Sequence, residues 1–171
     1  ASLVGSEMCI RDRHPEVKLI IAPHVIDENH LVEIIRKLKR PYVRYTRADE
    51  KNVRKADCLI IDCFGLLSSI YRYGEIAYIG GGFGVGIHNT LEAAVYGIPV
   101  IFGPKYQKFQ EAIRLLEAKG GFSIKSYEEL KALLDRMLED EEFLRESGMN
   151  AGLYVTDNAG ATDKVLNMIN F

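Results

Sequence analysis

The chain has 171 residues, 47% of them hydrophobic, enough to bury one core of ordinary domain size. Its 22 basic and 24 acidic side chains leave a net charge of -2, which argues against the strongly basic surface of a nucleic-acid binder. No apolar run approaches the roughly 20 residues of a membrane-spanning helix, and the charged stretch Arg11-Asp12-Arg13 is no signal-peptide core, so the chain is expected in the cytosol.

Residues 1–13 show neither helical nor strand periodicity and run abruptly into a strand-like segment. They resemble a translated sequencing adapter and are set aside as a non-native leader, which leaves 14–171 as one domain and an expectation that the natural protein continued upstream. Residues 17–22 are a short β-branched strand closed by Pro23. Residues 28–40 place Leu31, Ile34, Ile35 and Leu38 at helical spacing. Strands are predicted at 42–45 and at 58–62, the second apolar enough for a doubly covered parallel position. A helix over 66–73 and a strand over 76–79 lead into the glycine-rich loop 80–86. A helix over 90–96 ends at Gly97, and a strand follows over 98–102. Beyond Gly103-Pro104 the pattern predicts a helix over 109–118, a brief strand over 122–124, and mostly helix from Tyr127 onward.

Strands alternating with helices predict an α/β fold with a doubly wound parallel sheet. In such a sheet ligands bind beyond the carboxyl ends of the strands, where Pro23-His24, Cys63-Phe64-Gly65 and the loop from Gly80 all fall. Cys9, Cys58 and Cys63 form no CxxC pair and read as free thiols of a reducing compartment. No His/Cys cluster or Asp-x-Asp pair has metal-ligand spacing, so neither a metal nor a cofactor is expected. Tyr71, Tyr73 and Tyr78 read as core packing, Lys105, Tyr106 and Lys108 as a solvated loop, and Glu139–Glu142 as an acidic turn between helices.

The densest signal is Tyr78-Ile-Gly-Gly-Gly-Phe-Gly-Val-Gly-Ile-His-Asn-Thr-Leu-Glu-Ala-Ala, a strand, a glycine loop and a helix start in succession. Glycine allows positive φ and close backbone approach, so N–H groups there can receive a phosphate. The G-x-G-x-x-G spacing of a dinucleotide site is not met, and the loop follows a late strand. Asn89 and Glu92 stand three apart, the separation of a capping box. Glu92 would also be placed to accept hydrogen bonds from the ribose hydroxyls of a nucleotide, and His88 to contact phosphate or sugar.

The string from Ile76 through Ala112 carries His-Asn-x-Leu-Glu-Ala-Ala, Gly-Ile-Pro-Val-Ile-Phe-Gly-Pro and Phe-Gln-Glu-Ala. It resembles the donor-binding signature of 3-deoxy-D-manno-octulosonic acid (Kdo) transferases, glycosyltransferases of the GT-B fold. The resemblance extends from about Val17 to the C-terminus. It implies a Rossmann-like C-terminal GT-B domain, here expected to lack its first strand and helix, that binds the donor CMP-Kdo.

Three family motifs map onto the chain. Pro23-His24 matches a Pro-Arg loop, with an imidazole in place of the guanidinium. Phe64-Gly65-Leu66 matches a hydrophobic-Gly-Glu motif, with leucine in place of the acid. Asn89 and Glu92 match Asn-x-x-Glu intact. With Gly82, His88 and Thr90 these form the expected donor-binding set.

The resemblance further implies that the catalytic base and the lipid A precursor site lie in an N-terminal domain, so no catalytic residue is expected in this chain. Membrane association, at the cytoplasmic face of the inner membrane, would likewise come only through that half. Two rivals remain. One is a GT-B enzyme using a UDP- or GDP-sugar, because a helix-start glutamate on ribose is shared across that fold. The other is a non-catalytic nucleotide-binding module.

Overall fold

A computed structural model describes residues 14–84 and 86–160. The leader, Cys9 and the helix expected beyond residue 160 lie outside the described residues. The chain divides into two compact units, one formed by residues up to Gly74 with Ser126–Glu139, the other by Glu75–Lys125 with the segment from Asp140 onward.

The first unit contains β1 (Leu19–Ile21), α1 (Glu28–Lys37), β2 (Tyr42–Arg44), α2 (Glu50–Val53), β3 (Cys58–Ile60), α3 (Leu67–Ile70) and α6 (Tyr127–Glu139). Its strands form a parallel sheet in the order β1-β3-β2, with Ile21 and Arg44 both opposite Ile60. The apolar stripe of α1 covers this sheet: Leu31, Cys58 and Ile60 are buried together, and Leu19, Ile21, Ile26, Ile34, Ile35 and Leu38 pack around them. The helix starts where Asp27 accepts a 3.0 Å bond from the His30 N–H. It stops at Lys37 rather than at residue 40, because Leu38 turns extended while its N–H still bonds the carbonyls of Ile34 and Ile35.

The short helix α2 has no apolar period and is absent from the sequence-based expectation. Its signal is a capping box instead, with Asp49 accepting from the Asn52 N–H and the Asn52 side chain accepting from the Asp49 N–H, each at 2.8 Å. The helix expected at 66–73 is α3 followed by a 3-10 turn over Tyr71–Tyr73. Tyr73 is 72% exposed, which corrects its reading as a core residue.

The second unit contains β4 (Ala77–Tyr78), α4 (Leu91–Ala94), β5 (Val100–Phe102), α5 (Gln110–Glu117), β6 (Gly121–Ser123) and α7 (Glu141–Asn158). Its parallel sheet has the order β4-β5-β6. The central strand β5 is wholly buried, as are Ala112 and Leu115 on α5. Helix α7 lies close to backbone: a Cβ on Gly148 would meet the Gly97 carbonyl oxygen at 2.3 Å, and one on Gly120 would meet the Ala151 nitrogen at 2.4 Å. Ala151 on α7, and Ala93 and Ala94 on α4, are all fully buried. Phe122 and Phe143 meet edge to face at 5.6 Å. The acidic turn ahead of α7 is also its cap, with Asp140 accepting from the Phe143 N–H at 2.9 Å.

Among the described residues the named strands all pair in parallel and each unit alternates strand with helix, the Rossmann-like α/β architecture that the sequence pattern predicts. Cys58 is buried and Cys63 half-buried, and neither forms a disulfide among the described residues.

Candidate functional site

In the second unit the glycine stretch after β4 turns back on itself. Gly81 and Ile87 form an antiparallel bridge, the Gly82 N–H bonds the Gly86 carbonyl and the His88 N–H bonds the Gly80 carbonyl, each at 3.3 Å. Gly81 and Gly82 have φ of 91° and 80°, a region that side chains with a Cβ rarely enter. Space matters as much as torsion: a Cβ on Gly82 would lie 2.7 Å from the Gly103 Cα, and one on Gly103 would lie 2.6 Å from the Gly81 oxygen. The turn therefore sits backbone to backbone on the segment following β5. Lys105, expected in a solvated loop, closes the arrangement, its N–H bonding the Gly82 carbonyl at 2.9 Å and its Nζ the Gly84 carbonyl at 3.0 Å.

The Asn89–Glu92 pair forms, but not as a capping box. Helix α4 begins at Leu91, and Thr90, already helical at φ -85° and ψ -24°, occupies the cap position without a side-chain bond. Asn89 Oδ1 accepts from the Leu91 N–H and Asn89 Nδ2 donates to Glu92 Oε1, both at 3.0 Å. The carboxylate is thus held by an amide side chain where a box would use backbone. Thr90 is wholly buried, and its Oγ1 has no hydrogen-bond partner among the described residues. With four residues α4 has only a small dipole, so attraction of an anion here would depend on individual N–H and O–H donors. His88 and Asn89 are exposed, Gly82 is buried, and Glu92 is half-buried.

In the first unit Pro23, His24, Phe64, Gly65 and Leu66 all follow the carboxyl ends of strands. The sheet register aligns Ile21 and Ile60, so the loops after β1 and β3 leave the same edge. Gly65 adopts φ of 87° with nothing within 4 Å of a prospective Cβ, so its glycine is required by torsion and not by space. Phe64 is 79% exposed.

Residues that sequence reasoning missed sit on this same edge. Asp62, with a side chain 1% exposed, accepts from the Thr46 N–H at 2.9 Å, the Thr46 hydroxyl at 2.6 Å and Arg44 Nε at 2.8 Å. Burial pushes its carboxyl up, but the Thr46 and Arg44 bonds prevail and hold it at about 2. Arg44 also bonds both oxygens of Glu28, which keeps Arg44 charged. The available signal was an acid closing a buried apolar strand, a placement that demands partners. Among the described residues no group of three or more His, Cys, Asp or Glu side chains is placed to hold a metal ion, and no helix is long and apolar enough to cross a membrane.

No family model matches the chain. Over 131 residues, 75% of its length, it is 35% identical to the 3-deoxy-D-manno-octulosonic acid transferase of Aquifex aeolicus. The chain belongs to the Kdo transferase family. A match to the Haemophilus influenzae Kdo transferase, at 27% identity, covers 98% of the chain. The chain spans 36% and 40% of the lengths of these two family members. The family's fold is shared as well: the crystal structure of the C-terminal CMP-Kdo binding domain of WaaA from Acinetobacter baumannii superposes with a TM-score of 0.76, over 90% of this chain and 81% of that one, at 17% identity.

Proposed function

We propose that the chain is the donor-binding region, residues 14–171, of a Kdo transferase that moves Kdo from CMP-Kdo to a lipid A precursor in lipopolysaccharide inner-core synthesis. The observation that carries this reading is the Asn89–Glu92 pair, fixed by a 3.0 Å bond beside a glycine turn whose backbone approach is set by Gly82 and Gly103. Glu92, oriented by Asn89 through one oxygen, accepts hydrogen bonds from the ribose hydroxyls through the other. His88 and the turn around Gly82 face the phosphate, where donors relieve the charge that develops on departing CMP, and Thr90, wholly buried at the cap position of α4, sets the helix start behind them. Pro23-His24 and Phe64-Gly65-Leu66 supply the remaining donor contacts, with backbone groups of the second loop reading the base.

The reaction is a single inverting displacement. An acceptor hydroxyl attacks the anomeric carbon, the bond to the phosphate oxygen breaks, and CMP leaves with the electron pair. The base that takes the hydroxyl proton, the acceptor site and the attachment to the inner membrane's cytoplasmic face are assigned to an N-terminal domain.

One observation favours a second reading. Phe64-Gly65-Leu66 lacks the acidic residue of the hydrophobic-Gly-Glu motif, which suits a GT-B enzyme using a UDP- or GDP-sugar. Calorimetric titration with CMP, UMP and GMP, alongside Glu92→Ala, separates the readings. CMP-selective binding that the variant weakens at least about 10-fold, about 1.4 kcal/mol, supports the Kdo donor. Preference for UMP or GMP moves the assignment to the second reading, and absence of nucleotide binding removes both.

A further inference from the structure

We propose that Arg44, Thr46 and Asp62 form a positioning clamp that sets the relative placement of the loops carrying Pro23-His24 and Phe64-Gly65-Leu66, and so sets nucleotide affinity. This inference rests on the donor-site reading of those loops.

Three strand ends meet at one edge, because Ile21, Ile60 and Arg44 are aligned in the register of β1, β3 and β2. The chain leaves β1 into Pro23-His24, β2 into Tyr45-Thr46, and β3 into Asp62 and then Phe64-Gly65-Leu66. Asp62 lies two residues ahead of Phe64, so whatever fixes its carboxylate fixes the base of that loop. Oδ1 accepts the Thr46 N–H, and Oδ2 accepts both the Thr46 hydroxyl and Arg44 Nε, at 2.6 to 2.9 Å. Arg44 carries the linkage onward: its two Nη atoms hold both oxygens of Glu28, the first residue of α1, at 2.8 to 3.0 Å. Glu28 ends the segment that begins at Pro23, so the same guanidinium braces both loops.

Burying a carboxylate and a guanidinium is a poor route to stability, since desolvation offsets most of their attraction, whereas their directional bonds select one arrangement of the groups around them. Here the selected arrangement is that of two loops with little apolar anchoring at their tips: Val25 is 51% and Phe64 79% exposed. A planar fork is needed, because one residue must serve Asp62 through Nε and Glu28 through both Nη atoms. Lysine, with a single ammonium, cannot span them.

Thr46 is exposed and is not placed in the donor site, so it gives a mild perturbation. Thr46→Val removes only the hydroxyl bond to Asp62 at nearly constant shape, Thr46→Ser restores it, and Arg44→Lys removes the fork while keeping the charge. CMP titration of the 171-residue chain, with the folded fraction fixed by circular dichroism, is expected to show the dissociation constant rising about 10-fold in Thr46→Val and Arg44→Lys and returning to the parent value in Thr46→Ser. Parent-like affinity in Thr46→Val and Arg44→Lys, with or without a lower melting temperature, overturns the clamp. If in that case Glu92→Ala still loses CMP, the donor-site reading stands and the clamp alone fails. An unsubstituted chain that binds no CMP overturns both.

Discussion

Gly103→Ala tests the backbone contact on which the glycine turn depends. A Cβ at this position would lie 2.6 Å from the Gly81 oxygen, 2.8 Å from the Gly82 carbonyl carbon and 2.9 Å from the Gly82 Cα. All three are backbone atoms, so no flexible side chain can swing away. Reaching 3.4 Å, the start of ordinary contact, from 2.6 Å requires the turn to move by 0.8 Å. Gly103 does not have positive φ, so backbone torsion adds no strain and the loss is one of overpacking. Overpacking costs about 1–3 kcal/mol, which lowers the melting temperature of a chain this size by roughly 2–4 °C for each kcal/mol.

The control is Gly84→Ala in the same turn, where nothing lies within 4 Å of the new Cβ and φ is not positive. Thermal unfolding followed by circular dichroism should place Gly84→Ala within about 0.5 kcal/mol of the parent and Gly103→Ala clearly below it. CMP titration of the folded variants should show weakened binding in Gly103→Ala alone, because a shift of 0.8 Å displaces the donors proposed to face phosphate. Equal melting temperatures for the two variants would refute the argument from close approach.

Other expectations concern single interactions. Asp62 is held at about 2, below its ordinary 3.8, so the folded state favours the ionised form. Its contribution, on the order of 1–2 kcal/mol once solvent screening is allowed for, is therefore complete above about pH 5 and is lost as pH falls through 2. Urea midpoints between pH 2 and 6 should show this slope in the parent and lack it in Asp62→Asn. Gly65→Ala places a Cβ at φ of 87° in open space, and urea unfolding should show a loss of about 1–2 kcal/mol from torsion alone. Gly148→Ala should lower the melting temperature even though alanine favours helix by about 1 kcal/mol, because the new Cβ would lie 2.3 Å from the Gly97 oxygen. A rise in melting temperature would mean that α7 shifts freely on the segment it covers.

Most strands and long helices were legible because burial imposes a period: Leu31, Ile34, Ile35 and Leu38 on α1, and the unbroken apolar run of β5 buried on both faces. Elements without a buried period were less legible. Helix α2 rests on the reciprocal bonds of Asp49 and Asn52, and the predicted helix at 90–96 shortens to Leu91–Ala94. The residues Asn89 and Glu92 were found from their spacing, yet spacing suggested a capping box, and only the folded backbone shows an amide-to-carboxylate bond instead. The core reading of Tyr73 failed because an aromatic letter carries no direction when a 3-10 turn points it outward.

Sequence by itself determined the parallel α/β architecture and the glycine turn, since both follow from local period and from torsions that glycine alone tolerates readily. Tertiary structure decided the rest. Arg44, Thr46 and Asp62 are separated along the chain by up to 18 positions and meet only because β2 and β3 lie side by side in register. Gly103 matters only because the turn at Gly81 and Gly82 settles on it. Contacts between distant residues leave no period in the sequence, so their partners become known only when the sheet is formed.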